Sequence, residues 1–346
     1  MSIKVGLVGY GSQGRRIADA ISAQKDMKLV GVCLKKPDIT AHMAFLKGLS
    51  IYAVDEESAK LFEQEKVFEV KGMLEDLISK IDVIVDATPA GVGKKNREVF
   101  YQPHGVKAVF LAGETPDVAD IPAFIPTINY KEAVNVSYVR IPTPYTVAMI
   151  RPLELIEEEF SVKWVSCTML IAGSEFMRGH MGPVDTIIPI EPENLALIKR
   201  EFELLMPRKE LILSSFKIPS LHLSVQHLVM KLSKEASVDR VIKVLTSSNG
   251  IILVSSKQGL NSTDSILEFI RRIRPNPGDI YEVCIWKESI QVVGRKLALS
   301  LAFDSHSVHI PELIDAIRAL SGYENADESM WKTDTALNIL HPGVYP

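Results

Sequence analysis

The sequence predicts an α/β protein of two domains: a doubly wound parallel sheet, followed by an α+β domain with a mostly antiparallel sheet. Short, continuous apolar runs alternate with helical stretches as far as about residue 138, which is typical of a parallel sheet covered on both faces. Later apolar runs are longer or alternate with polar residues. The length of 346 residues also exceeds the roughly 250 to 300 residues at which single cores stop growing. We expect residues 1–138 with 304–346 to form the first domain and 139–303 the second.

The first domain is predicted from apolar strands separated by helices, and from one late helix. The runs that indicate strands are IKVGLVGY, KLVGVCL, SIYAV, VIVDAT and AVFLAG. The segment HIPELIDAIRALSG places its apolar residues on one face of a helix, and we expect that face to pack back on this domain.

The second domain is predicted from longer strands that are joined by turns and half-buried. The runs that indicate these strands are VKWVSCTMLIAG, LILSSFKI, LSVQHLVMKL, GIILVSS, YEVCIW, SIQVVG and KLALSLAF. Helical patterns occur at residues 151–160, 193–206, 237–246 and 263–273.

Composition disfavours several classes of protein. Lys and Arg number 39 against 43 Asp and Glu, so the chain has no basic excess for binding nucleic acid. The three cysteines lie far apart, without metal-ligand spacing or the even count of a disulfide framework, which predicts a reducing cytoplasm and no metal. Because no apolar run reaches the roughly 18 residues needed to cross a bilayer, we expect a soluble, cytoplasmic protein.

The strongest local motif is a glycine-rich turn between the first strand and the first helix. Gly9, Gly11 and Gly14 form G-x-G-x-x-G, with Ser12 and Gln13 inside the motif. Such glycines allow a tight turn, close approach of a pyrophosphate and helix packing, so the motif predicts a Rossmann-type dinucleotide site. The alternative is a glycine turn kept for packing after cofactor binding was lost.

The second strand ends in residues that bear on the choice of cofactor. An acidic residue there is usual for NAD, whereas Lys35 and Lys36 offer positive charge to a 2′-phosphate and favour NADP. These lysines are equally explained as a solvated loop. Asp38, which follows, is predicted to cap the next helix.

Two further strand ends are candidates for contact with the cofactor. Thr88, Pro89 and Ala90 follow VIVDA and are expected beside its ribose. Gly113 follows AVFLA, where it would allow close approach, although a simple turn explains it as well.

Several stretches with unusual residue combinations run along nearly the whole chain. They are VGYGSQGRRIADAI, GVCLKKPDITAHMAFLKG, IVDATPAGVGKKN, YQPHGVKAVFLAGE, MGPVDTIIP, CIWKESI and SVHIPELIDAIRAL. Together they resemble the archaeal-type phosphorylating glyceraldehyde-3-phosphate dehydrogenase family. The resemblance implies a Rossmann domain closed by the C-terminal helix, an α+β catalytic domain, NADP or NAD, and a homotetramer.

The family's catalytic groups are replaced at the positions that this resemblance assigns to them. Its cysteine thiolate attacks the aldehyde and leaves a thioester for phosphate, but Pro144 occupies that position in YVRIPTPYT. Its paired arginines for substrate phosphate correspond to Ile171 and Ala172. Its general-base histidine corresponds to a position near Leu197 or Ile198, in ENLALIKREFELLMP, which contains no histidine. We therefore expect a divergent paralogue, a pseudoenzyme of this class.

Few other side chains are candidates for catalysis. Cys33, Cys167 and Cys284 are expected to be small buried hydrophobic residues. Tyr145, directly after Pro144, and His180, in the glycine-containing segment MRGHMGPVDT, are candidate proton donors, although a loop histidine is more often idle.

Three functions follow from these observations. The first is a dinucleotide-binding homologue that acts by binding or regulation. The second is an NAD(P)-dependent oxidoreductase that works without a covalent cysteine. The third is a genuine glyceraldehyde-3-phosphate dehydrogenase whose nucleophile lies elsewhere. Each agrees with a homo-oligomer, a tetramer or a dimer, and the tail HPGVYP offers Tyr345 to a protein partner.

Overall fold

A computed structural model of the protein describes residues 2–65, 69–111, 113–134, 136–173, 182–274 and 278–340. The chain forms two compact units, which meet in sequence between Thr143 and Pro144 and between His309 and Ile310. Residues 338–340 again belong to the second unit.

These bounds differ from the predicted division, which assigned all of 304–346 to the first domain. The chain returns to the second unit because buried polar groups hold it there. Arg274 donates a hydrogen bond to the Asn338 carbonyl at 2.8 Å, and the Leu340 amide donates to Glu282 at 2.8 Å.

The first unit contains a seven-stranded sheet in which every described pair of neighbours is parallel. Its strands are β1 (Ile3–Val8), β2 (Met27–Leu34), β3 (Ile51–Ala53), β4 (Val70–Met73), β5 (Val83–Asp86), β6 (Lys107–Phe110) and β7 (Tyr138–Arg140). Their order is β4-β3-β2-β1-β5-β6-β7. The predicted doubly wound sheet is therefore confirmed, and the direction of winding changes between β1 and β5.

The second unit contains an eight-stranded mixed sheet. Its strands are β8 (Val162–Ala172), β9 (Ile188–Pro189), β10 (Glu210–Ile218), β11 (Leu223–Leu232), β12 (Ile251–Val254), β13 (Val283–Trp286), β14 (Gln291–Val293) and β15 (Lys296–Asp304). Their order is β12-β13-β15-β11-β8-β10-β9, with β14 beside β15. Only β8 with β10 and β12 with β13 pair in parallel among the described strands, so the predicted mostly antiparallel sheet is also confirmed.

Helices cover the strands of both units. They are α1 (Ser12–Ala23), α2 (Ile39–Leu46), α3 (Glu56–Glu65), α4 (Leu74–Ile78), α5 (Val92–Asn96), α6 (Pro126–Ala133), α7 (Pro144–Phe160), α8 (Ala196–Leu205), α9 (Val238–Leu245), α10 (Thr263–Ile273), α11 (Ile310–Leu320) and α12 (Ala326–Leu337). None of the helices in the described ranges has the length and apolar character that crossing a bilayer requires.

Helix α7 begins seven residues before the predicted start at 151. The sequence misleads here because prolines usually break helices. Pro144 takes the first helical position, where its missing N–H has no intrahelical partner to lose, and Pro152 is tolerated inside the helix.

Candidate functional site

The glycine turn after β1 is tightly packed against its own backbone. Gly9 has φ +89°, a conformation that favours glycine, and its amide donates to the Cys33 carbonyl at 3.1 Å. A Cβ on Gly9 would lie 2.8 Å from the Ala87 carbonyl oxygen, and one on Gly14 would lie 2.2 Å from the Gly9 carbonyl oxygen. Side chains at these two positions are therefore excluded by backbone atoms.

Gly11 differs from its neighbours because it faces open space. It precedes the first residue of α1, and a Cβ there would meet no atom within 4 Å. Its position caps the helix without a side-chain hydrogen bond, so the first amides of α1 lack a side-chain acceptor at this cap. Ser12 and Gln13, both half-buried, begin that helix. An uncapped helix start beside an open glycine fits a pyrophosphate, because its amides and the helix dipole both favour an anion.

A buried carboxylate organises the end of β5. Asp86 is 2% exposed and accepts hydrogen bonds from the Thr88 amide at 3.0 Å, the Asn96 side chain at 2.9 Å and the Tyr101 hydroxyl at 2.6 Å. The Thr88 hydroxyl donates to the same carboxylate. These bonds fix the backbone of Thr88 where the chain leaves the sheet.

The loops after β5 and β6 meet. A Cβ on Gly113 would lie 3.5 Å from the Ala90 nitrogen and 3.6 Å from the Thr88 carbonyl oxygen. Pro89, Ala90 and Gly113 are exposed, and Thr88 is half-buried. Because β1, β5 and β6 are neighbours in the sheet, the glycine turn lies with both loops at one sheet edge, where doubly wound proteins bind ligands.

Lys35 and Lys36 follow β2 at this same edge, and both are exposed. The Lys36 ammonium lies 3.9 Å from the Asp38 carboxylate. The Asp38 carboxylate also accepts a hydrogen bond from the Thr40 amide at 2.9 Å. The predicted cap of α2 by Asp38 is therefore confirmed.

The start of α7 in the second unit holds Pro144, which the resemblance assigns to the position of the family cysteine. Pro144 is buried there as the first residue of the helix. The Thr146 hydroxyl donates to the Glu201 carboxylate, and both side chains belong to residues that are 0% exposed. The Tyr145 ring packs edge-on against Phe303 at 5.8 Å between centroids. Burial raises the pKa of the Tyr145 phenol to about 12, which makes it a weaker acid near neutral pH.

The remaining predicted positions in the second unit offer little charge. Ile171 and Ala172 are the last residues of β8 and are half-buried; the Ala172 amide is held by the Ser224 hydroxyl at 3.1 Å. Leu197 is half-buried and Ile198 is buried in α8. His180 lies outside the described residues.

Each cysteine is buried as a small apolar side chain. Cys33, Cys167 and Cys284 are at most 1% exposed, and all three are free thiols. Burial raises the pKa of each thiol, so none provides a thiolate near neutral pH. The described part of the chain contains no cluster of three or more histidine, cysteine or carboxylate side chains arranged for a metal.

Two buried carboxylates were missed by sequence reasoning. Asp86 ends the apolar run VIVD, and a charged residue that closes a buried strand is a signal that could have singled it out. Glu201 gave no comparable signal, because it lies among other charged residues of α8 and its burial depends on tertiary packing.

The chain is similar to archaeal enzymes along almost its entire length. It is 37% identical to glyceraldehyde-3-phosphate dehydrogenase of Pyrococcus abyssi, over 98% of this chain and 100% of that protein. It is 34% identical to the protein of the same name from Archaeoglobus fulgidus, over 98% of each chain. No protein-family model matches it.

A solved structure supports the fold. The chain superposes on aspartate semialdehyde dehydrogenase II from Vibrio cholerae with a TM-score of 0.65, over 91% of this chain and 97% of that one. The identity is 10%, so this likeness concerns the architecture alone.

Proposed function

This chain belongs to the glyceraldehyde-3-phosphate dehydrogenase family, and from that premise we propose that it binds NADP, or NAD, without carrying out phosphorylating aldehyde oxidation. It acts through binding or regulation. The observation that carries this proposal is Pro144 at the start of α7, where a nucleophile would be required.

The binding half rests on the sheet edge of the first unit. The amides at the start of α1 bind the pyrophosphate, and open space at Gly11 admits it. The exposed Pro89, Ala90 and Gly113 lie against the nucleoside, and Lys35 and Lys36 attract a 2′-phosphate. A bound nicotinamide dinucleotide would be capable of hydride transfer, and these residues would hold and orient it.

The first catalytic group that we propose this chain lacks is the nucleophile. Phosphorylating oxidation needs a sulfur that first bonds to the aldehyde carbon and then carries an acyl group. A proline side chain has no such atom, and the three thiols are buried with raised pKa values.

Binding of a phosphorylated substrate is also weakened in the second unit. Ile171 and Ala172 offer no cation to a phosphate group. No histidine occurs from residue 193 to residue 207 to act as a base. General acid–base catalysis contributes about 10² to 10⁴-fold, so losing it together with the nucleophile leaves no route to an appreciable rate.

Two measurements test the two halves of the proposal. Calorimetric titration should detect NADP binding with a dissociation constant below the millimolar range. If neither NADP nor NAD binds, the proposal that this protein binds a dinucleotide is wrong. Incubation with glyceraldehyde-3-phosphate, phosphate and NADP should produce no phosphate-dependent NADPH. Steady production would overturn the catalytic half and favour a genuine dehydrogenase. Pro144→Cys should not restore this activity, because the base and the phosphate-binding arginines are still absent.

An alternative is an NAD(P)-dependent oxidoreductase of another class, which transfers hydride without covalent catalysis. Tyr145, which is partly exposed at the start of α7, is one candidate proton donor. His180, which lies outside the described residues, is the other. Reduction of a carbonyl or imine substrate, lost in Tyr145→Phe or His180→Ala, would favour this alternative.

The cellular setting of the proposal follows the same family membership. We infer a homo-oligomer, a tetramer or a dimer, in the cytoplasm. The tail HPGVYP, which lies outside the described residues, is proposed to contact a neighbouring subunit or another protein through Tyr345.

A further inference from the structure

A second cavity opens at the opposite edge of the first unit's sheet. It has a volume of about 340 Å³ and lies at the amino ends of β1, β2 and β3. Its lining includes Lys4, Lys28, Leu29, Leu49, Ser50 and Lys80. Because β1 has six residues at about 3.3 Å per residue, roughly 20 Å separates this edge from the glycine turn. The cavity is therefore distinct from the dinucleotide site.

The charge of this cavity is entirely positive. Lys4, Lys28 and Lys80 belong to three separate segments, and no carboxylate lines the cavity. None of the three forms an ion pair within the described residues, whereas the whole chain has a net charge of −4. The nearby Asp82 carboxylate accepts a hydrogen bond from the backbone amide of Lys4 at 2.7 Å. Lysine side chains that line one cavity without carboxylate partners give it a positive potential that attracts an anion.

One of these ammonium groups is held in place. The Lys80 ammonium lies 3.3 Å from the Tyr52 hydroxyl and 5.1 Å from the centre of the Tyr52 ring. Tyr52 is buried on β3 and cannot follow a moving lysine. The Tyr52 contacts therefore favour one position of the Lys80 charge beside the cavity.

We propose that this cavity binds a small phosphorylated molecule. Ammonium groups bind phosphate as point charges, and Leu29 and Leu49 provide apolar contacts for a short carbon skeleton. The volume is near the lower limit of about 300 Å³ for small-molecule pockets, so it suits a phosphomonoester and excludes a dinucleotide. This site goes beyond the dinucleotide binding proposed above and does not depend on it.

The test compares two double variants of the full chain, with glycerol 3-phosphate and inorganic phosphate as the probes. Lys28→Ala with Lys80→Ala removes two charges from the cavity. Lys60→Ala with Lys163→Ala removes two charges from exposed positions outside it. Thermal unfolding of each variant establishes that it is folded, and calorimetry in low-salt buffer measures binding.

The wild type and the Lys60/Lys163 variant should bind glycerol 3-phosphate with one saturable affinity, and the Lys28/Lys80 variant should bind it at least tenfold more weakly. Tighter binding of glycerol 3-phosphate than of inorganic phosphate would support the apolar contacts. The proposal is overturned if the wild type shows no saturable binding, or if the Lys28/Lys80 variant binds as the wild type does. In the latter case the anion binds outside this cavity.

Discussion

The sheet edge with the glycine turn in the first unit and the start of α7 in the second unit have different roles in the proposed function. The first keeps a glycine at each position where backbone atoms exclude a side chain, and its loops are fixed by the buried Asp86. The second has a well-packed helix start, with Pro144 at the position that the family resemblance assigns to the nucleophile. The difference follows from what each site uses.

Dinucleotide binding depends on backbone amides and free space, which many substitutions leave intact. Covalent catalysis depends on single side-chain atoms, and one substitution removes it without disturbing the packing around it. Proline suits the position of Pro144, because proline is favoured at the first position of a helix. A proline at this position is therefore compatible with folding, whereas a side chain at Gly9 or Gly14 would clash with backbone atoms.

The largest expected effect comes from the glycine turn. Gly14→Ala places a Cβ 2.2 Å from the Gly9 carbonyl oxygen, so it should weaken NADP binding by about 100-fold or more and also lower the free energy of unfolding. Gly11→Ala is the matched variant, because its Cβ meets no protein atom. It should weaken NADP binding by about tenfold while leaving thermal unfolding unchanged. Unaltered affinity in both variants would place the cofactor elsewhere.

Thiol reactivity tests whether another cysteine could replace a nucleophile at the start of α7. Burial raises the pKa of all three thiols, so they stay neutral well above pH 8, and we expect alkylation by iodoacetamide at pH 8 to be about 100-fold slower than in the urea-unfolded chain. Mass spectrometry counts the labelled cysteines. Fast labelling of one native cysteine would reveal a thiolate and contradict the comparison.

A smaller effect is expected from the buried carboxylate at the end of β5. Asp86→Ala leaves the Asn96 and Tyr101 donors without their acceptor, so the free energy of unfolding should fall by about 2 to 5 kcal/mol. NADP affinity should fall by about tenfold as Thr88 is released. Leu299→Ala, a buried change in the second unit with a similar expected cost, is the control. Equal NADP affinity in Asp86→Ala and this control would exclude a role for Asp86 in positioning the loop.

The smallest effect concerns cofactor choice. Exchange of both Lys35 and Lys36 for glutamate should weaken NADP binding by about tenfold, because it reverses the charge presented to the 2′-phosphate. NAD, which lacks that phosphate, is the matched ligand and should bind almost equally to both proteins. An equal change for the two ligands would show that these lysines form only a solvated loop.

Much of the fold was predictable because the buried strands correspond to continuous apolar runs in the sequence. β1, β2, β5 and β6 read as continuous apolar runs, and the glycine turn occurs where the strand-to-helix order requires it. Helix α12 was not predictable in this way, since its buried face consists of Ser329, Thr333 and Leu337. The two hydroxyls hydrogen-bond to Asp315 at 2.7 and 2.6 Å, so polar contacts replace the usual apolar stripe.

The candidate site was predictable only where local sequence determines it. The turn at Gly9 follows from backbone geometry, and the cap by Asp38 follows from its place before a helix. The hydrogen bond between Thr146 and Glu201 joins residues 55 positions apart, and the cavity with the three lysines is lined by four separate segments. Such arrangements depend on how helices and strands pack in three dimensions, and local sequence patterns do not indicate that packing.

Intact-mass spectrometry during exposure to glyceraldehyde-3-phosphate and NADP, without phosphate, tests most directly whether the covalent chemistry is gone. The proposed function predicts a single unmodified mass at every time point. An added acyl mass that maps to Cys33, Cys167 or Cys284, and disappears when phosphate is supplied, would contradict it.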